Sequence, residues 1–267
     1  MRILGLDTAT WRASVGVLVD GEVVTEQSQM ANGSHAVTLL PLIADTLQRA
    51  GYGLRDLDAI AVSGGPGAFT GLRVGLSVAK GLAFATGIPV IAVPTLEALA
   101  RTLSRHEGFI CTLLDARKGE LYAACFESAA GVVRRLTPDA LITSLELVER
   151  IALPCVVIGD AAERYGAFLR EHLGERATLL PYETYGPRGG VVAMLGWERL
   201  QAGAIDPMAS IEPFYVRPSD AERHLGLEGV GACGPEGRGK TTPAGAITPS
   251  HSQAPTPSSP QTLKPLL

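Results

Sequence analysis

Three short stretches carry residue types that could hold or transform a ligand. Asp7, Thr8 and Thr10 close the apolar run MRILGLDTAT, where a strand gives way to a turn. Backbone amides there could donate to phosphate oxygens while Asp7 orients metal-bound water. An Asx or Thr turn closing a hairpin uses the same residues, and D-x-x-T is short. The second stretch is GGPGAFTGLRVGL, residues 64–76, in which a strand enters, glycines turn the chain and a helix leaves. Amides at a helix start favour anions, so Gly65 and Gly67 join the candidate set. The stretch is not a P-loop, because Gly71 is followed by Leu72 rather than Lys. Nor is it a dinucleotide fingerprint, since its last glycine position holds Thr70 and no acid lies between Ala59 and Leu96. Gly71, Gly75 and Ala79, spaced by four, instead strip one helix face so that another helix can pack closely. The third stretch, DARKGELY, sets Asp115, Arg117, Lys118, Glu120 and Tyr122 in a polar hairpin. It reads equally as a solvated turn or as the wall of a cleft. The candidate nucleotide-facing residues are thus Asp7, Thr8, Thr10, Gly65, Gly67, Asp115, Arg117 and Glu120.

Other chemistries find no footing. His35, His106, His172, His224 and His251 form no H-x-x-x-H or H-E-x-x-H pair, so a histidine metal site is not expected. There is no G-x-S-x-G elbow. Cys111, Cys125, Cys155 and Cys233 contain no C-x-x-C pair and read as reduced thiols of a cytoplasmic protein. A net charge of −4 argues against a broad basic face for nucleic acid. No apolar run reaches membrane-spanning length, and Asp7 interrupts what would be a signal peptide's apolar region.

The elements that would position these residues repeat. Residues 2–6, 13–19 and 22–29 read as three strands, with Asp20-Gly21 as a hairpin turn. A helix follows from Ser34, its N-cap, to Gly51, its C-cap, with Pro41 in an early turn. A strand at 59–63, a helix at 72–86, a strand at 89–93 and a helix at 95–104 complete the half. The pattern restarts with strands at 109–114, 120–126 and 131–135. Helices follow at 144–151, 161–172 and 189–202, with a strand at 155–158. LGLDTATWRASVGVLVDGEVV and TLLDARKGELYAACFESAAGVV share strand, Asp, polar turn, returning strand and a third strand after glycine. This is an internal duplication. It predicts an α/β protein of two lobes with a mixed sheet in each, residues 1–106 and 107–220. Residues 221–267 are rich in Pro, Gly, Ser and Thr, a composition that predicts a disordered tail.

The first-half helices are more apolar than a single sheet contact requires. Leu39, Leu42, Ile43 and Leu47 form one stripe with Leu40 beside it, and the helix from Leu72 is apolar or small nearly all round. Either both helices are deep core, or they dock a partner in a four-helix contact, the expectation taken here, through His35, Leu39, Leu42, Ile43, Leu47, Phe69, Leu72, Arg73, Leu76, Ala79 and Lys80.

MRILGLDTAT, SHAVTLLPLI, GGPGAFTGLRVGLSVAKGLA, IPVIAVPTLEALA, DARKGELYAA and EPFYVRP together resemble the TsaB (YeaZ) family over residues 1–218. The resemblance implies the two-lobed actin-like ATPase (ribonuclease H-like) fold. It also implies a non-catalytic subunit acting with TsaD and TsaE to place threonylcarbamoyl on adenosine 37 of tRNA. In that family the metal is held in the paralogue TsaD by histidines four residues apart, where this chain has Thr95 and Leu99. The resemblance further implies a homodimer in isolation and tRNA contact only through the complex. No cofactor would be bound by the lone subunit, with ATP or ADP and magnesium entering in the complex. The rival expectation is an independent ATP-dependent kinase-like enzyme or a peptidase.

Overall fold

The computed structural model describes residues 1–216 except 32, 33, 187 and 206. The predicted tail therefore lies outside the described residues. In the first lobe, β1 (Arg2–Asp7), β2 (Arg12–Val19) and β3 (Glu22–Met30) form an antiparallel meander. Asp20 (φ 49°) and Gly21 (φ 89°) make the β2–β3 turn, in the left-handed conformations that an Asp-Gly pair supplies at little strain. α1 (His35–Ala50) follows, and Gly51 ends it at φ 77° with its N–H returned to Gln48 O. Then come β4 (Ala59–Gly65), α2 (Phe69–Thr86), β5 (Val90–Pro94) and α3 (Thr95–Arg101).

The second lobe repeats the scheme. It contains β6 (Gly108–Arg117), β7 (Glu120–Ala129), β8 (Val132–Arg135), β9 (Ala140–Thr143), α4 (Ser144–Arg150) and β10 (Cys155–Ile158). After these come α5 (Asp160–Arg164), α6 (Gly166–Leu173), β11 (Ala177–Leu179), α7 (Tyr182–Tyr185) and α8 (Gly189–Gln201). The sheets run β3-β2-β1-β4-β5 and β11-β10-β6-β7-β8, with β9 on β7. Each contains a three-stranded antiparallel meander whose first strand pairs in parallel with a later strand, β1 with β4 and β6 with β10, the duplication that the two hairpin motifs announce.

The apolar stripe of α1 goes inward. Leu39, Leu42, Ile43 and Leu47 join Leu4, Leu6, Val15, Val17, Ile60 and Val62 of the sheet, together with Leu76, Ala79 and Ala83 of α2. Burying each such Leu or Ile stabilises by about 2 kcal/mol. The opposite face of the sheet is covered by α3 and α8. α3 is shared, because Ala98 belongs to that first-lobe layer while Leu96, Leu99 and Ala100 belong to a second-lobe cluster with Phe126 and Tyr182. The other second-lobe core holds Cys111, directly opposite Cys125 across β6 and β7, and Cys155.

Three expectations need correction. α8 was expected in the second lobe, but it packs on the first sheet. A Cβ on Gly5 would sit 1.9 Å from the Gly189 carbonyl oxygen, and one on Gly16 would sit 2.2 Å from Gly190 N. Bare backbones thus touch where side chains would hold the helix off. The single helix expected over 161–172 is two, α5 and α6, divided at Tyr165 (φ −100°) ahead of Gly166, a weak helix former. The strands β9 and β11 and the one-turn α7 are too short to register as periodicity.

Gly16→Ala is expected to lower stability by about 3 kcal/mol through overpacking, measured by urea unfolding. Gly81→Ala, on the open face of α2 with nothing near its Cβ position, should instead raise it by up to about 1 kcal/mol.

Candidate functional site

The β1–β2 turn is closed upon itself. Asp7 is fully buried; one carboxylate oxygen accepts the Ala9 N–H (3.1 Å) and the other accepts the Ser63 hydroxyl. Burial pushes its pKa up to about 6 against those two bonds. Thr8 donates its hydroxyl to the Gly71 carbonyl at 2.8 Å. A Cβ on Gly75 would meet Thr8 Oγ1 at 2.2 Å, and one on Gly71 the Thr8 carbonyl at 2.0 Å. The small-residue face of α2 therefore admits the Thr8 turn and not another helix, which corrects the expectation for Gly71 and Gly75. The Ala68 N–H donates to Ala9 O at 2.6 Å. Gly65 (φ 123°) donates its N–H to Thr95 Oγ1, and its missing Cβ makes room for the Phe214 carbonyl, 2.3 Å from where the Cβ would stand.

An inter-lobe cleft of 820 Å³ opens beside this region. Of the eight candidate nucleotide-facing residues, Thr10, Gly67, Asp115 and Arg117 line it; Asp7, Thr8, Gly65 and Glu120 do not. Thr10 reaches it only at its edge, since its hydroxyl accepts from Tyr182 and from the Arg12 N–H. Trp11, Phe69, Tyr122 and Tyr215 supply aromatic walls.

On the second-lobe side, Arg164 and Arg117 reach Asp115 Oδ2 at 2.6 and 3.4 Å, and the Arg117 N–H donates to its other oxygen. Asp160 accepts the Asp115 N–H at 2.9 Å; burial and the Asp115 charge push its carboxyl up to about 6. His35 also lines the cleft, and burial lowers its pKa. Thr95 and Leu99 are fully buried in packing roles. Among the described residues no group of three or more His, Cys, Asp or Glu side chains is arranged to hold a metal. No described helix is long and apolar enough to cross a membrane.

Of the eleven residues expected at a partner interface, Leu39, Leu42, Ile43, Leu47, Leu72, Leu76 and Ala79 are taken up by the first lobe's own packing. Their stripe faces the sheet, so it cannot also face a partner. His35 is at the cleft, while Phe69 and Arg73 reach the surface and Lys80 is half-buried. Other residues of the helix pair are exposed: Phe84 (83%), Val37 (74%) and Leu40 (49%), with Pro41, Ala44 and Ala85. The signal for these was the second phase of α1, in which Val37, Leu40 or Pro41 and Ala44 recur opposite the buried stripe.

Two sheets of the same strand order around a cleft define the class: a two-lobed actin-like, ribonuclease H-like α/β protein. At 11% identity, the activator of the 2-hydroxyisocaproyl-CoA dehydratase from Clostridium difficile, solved with bound ADPNP, shares this fold with a TM-score of 0.51, over 76% of this chain and 97% of its own. The family model for TsaD, tRNA N6-adenosine threonylcarbamoyltransferase, matches residues 21–166. The Bacillus subtilis (strain 168) protein TsaB is 28% identical over 225 residues, which is 83% of this chain and 96% of that protein. YeaZ from Pseudomonas aeruginosa is 30% identical, with a TM-score of 0.67 over 80% of this chain and 99% of that structure. The chain belongs to the TsaB (YeaZ) family, within the wider family that the TsaD model describes.

The raised pKa of Asp7 has a definite sign. The folded state keeps a proton that the unfolded chain gives up, so stability falls as pH rises from about 4 to about 6 and stays lower above. Asp7→Asn should remove up to about 3 kcal/mol of the stability difference between acid and neutral pH, read from urea midpoints across that range. An unchanged pH profile would refute the buried carboxyl's role.

Proposed function

We propose that this chain is a non-catalytic subunit in the biosynthesis of threonylcarbamoyladenosine at position 37 of tRNA. In this reading it docks the catalytic paralogue TsaD through the outer face of α1 and α2. TsaE joins the same complex, and the tRNA is met through it. In isolation the same face pairs two copies of the chain. The observation that carries the reading is the exposure of Val37 and Leu40 on α1 and of Phe84 on α2, large apolar side chains that the described residues leave uncovered. The reading is supported by the Bacillus subtilis relative, a tRNA threonylcarbamoyladenosine biosynthesis protein.

The cleft supports a scaffold better than an enzyme. The Thr8 and Thr10 hydroxyls, the Ala9 and Arg12 amides and the Asp7 carboxylate of the β1–β2 turn already bond to the protein, so a phosphate engaging them would have to break native hydrogen bonds. ATP or ADP with magnesium is accordingly assigned to the assembled complex and not to the lone chain.

Phe84→Glu and Leu40→Glu should each weaken association with purified TsaD by roughly a hundredfold while leaving the melting temperature within a few degrees. Leu39→Glu, at the buried stripe, should unfold the first lobe. Undiminished co-elution of the Phe84→Glu chain with TsaD would exclude this face.

A further inference from the structure

The lobes are tied to each other on two sides of the cleft. In one tie, Tyr182 is fully buried in the second-lobe cluster, yet its hydroxyl donates to Thr10 in the first-lobe turn. The Trp11 ring lies 5.3 Å from the Tyr182 ring, and Arg12 Nη1 donates to the Glu183 carbonyl at 3.4 Å. In the other, residues 211–216 run as a strap from one lobe to the other. Ile211 is buried in the first-lobe core and Val216 packs against the second-lobe cluster. Between them, the Phe214 N–H donates to Gly64 O at 2.7 Å. Tyr215 stacks on Phe69 with centroids 4.9 Å apart and accepts from Arg73 Nε at 3.0 Å.

We propose that these two ties hold the cleft at one opening, so that the lobes do not close around a nucleotide, with Tyr182 as the positioning residue. Hinge closure needs a ligand that contacts the closed state better than the open one. Here the Thr8 and Thr10 hydroxyls, the Ala9 N–H and the Asp7 carboxylate are engaged in the protein's own bonds, and the Tyr182 hydroxyl already spans the lobes. The exposed side chains of α1 and α2 are then presented in one geometry whether or not nucleotide is present. This goes beyond docking itself, which would work equally from a hinged molecule.

Hydrogen exchange on the full chain, with and without Mg·ATP, tests the inference, alongside scattering measurements of the radius of gyration. Wild-type protection at residues 9–12 and 182–185, and the radius, should not change with Mg·ATP; contraction or new protection there overturns the proposal. Tyr182→Phe keeps the ring and loses the hydroxyl. It should speed exchange at those two segments by roughly tenfold while β1, β4 and β10 stay protected. Thr10→Val should do the same, and the double variant should be no worse than either single one, since both remove one bond. Additive effects, no local change, or loss of protection through the whole second lobe would each overturn it. Co-elution with TsaD reads the docking face separately, so the two readings can fail independently.

Discussion

Close approach of bare backbone is the constraint on which the first lobe depends. Gly5 and Gly16 lie against Gly189, Gly190 and Ala193 of α8, and Gly71 and Gly75 lie against Thr8. A methyl group at any of these positions would collide with main-chain or near-main-chain atoms. The glycines do not relax the chain here; they let a helix and a turn sit nearer to their neighbours than side chains allow, and dispersion contacts gain from that nearness. The hydrogen bonds of Asp7 and Thr8 follow from this closeness, because the turn is pressed onto α2 and β4.

That closeness also explains how a motif that looks suited to phosphate becomes structural. A Gly-rich turn entering a helix can cradle an anion only if its amides face open space. Here the Gly65 N–H is taken by Thr95 and the Ala68 N–H by Ala9, both from the same chain, although residues 67–71 line the cleft. Asp7, with its burial-raised pKa, is an internal member of the fold and not a reagent facing the cleft. Exposed apolar side chains are found instead on the outer surfaces of α1 and α2, where none of the described residues covers them.

Much of the fold was legible because its elements are long and its turns chemically marked. Asp20-Gly21 and Gly51 stand where left-handed residues are required, and the repeated Asp-ended strand exposed the two-lobe plan. The address of α8 was not legible. Its sequence position is in the second half, and only the pairing of Gly189 and Gly190 with Gly16 reveals its lobe. The buried stripe of α1 was misread for a related reason. On a helix with two apolar phases, periodicity finds both but does not say which one the sheet takes. Leu39, Leu42, Ile43 and Leu47 form the more regular stripe, and burial claims the regular stripe first. Val37 and Phe84 remained outside.

The sharing of α3 has its own consequence. One flank of this helix completes the first sheet's layer and the other completes the second lobe's cluster, while α8 crosses back from the second half to cover the first. Severing the chain after His106 would therefore leave the leading fragment without α8, and the trailing fragment without the α3 side chains that pack on Phe126. Neither piece would have a full set of covers for its sheet. The halves trace to one repeated unit, but they have become obligate complements, each completing a layer of the other.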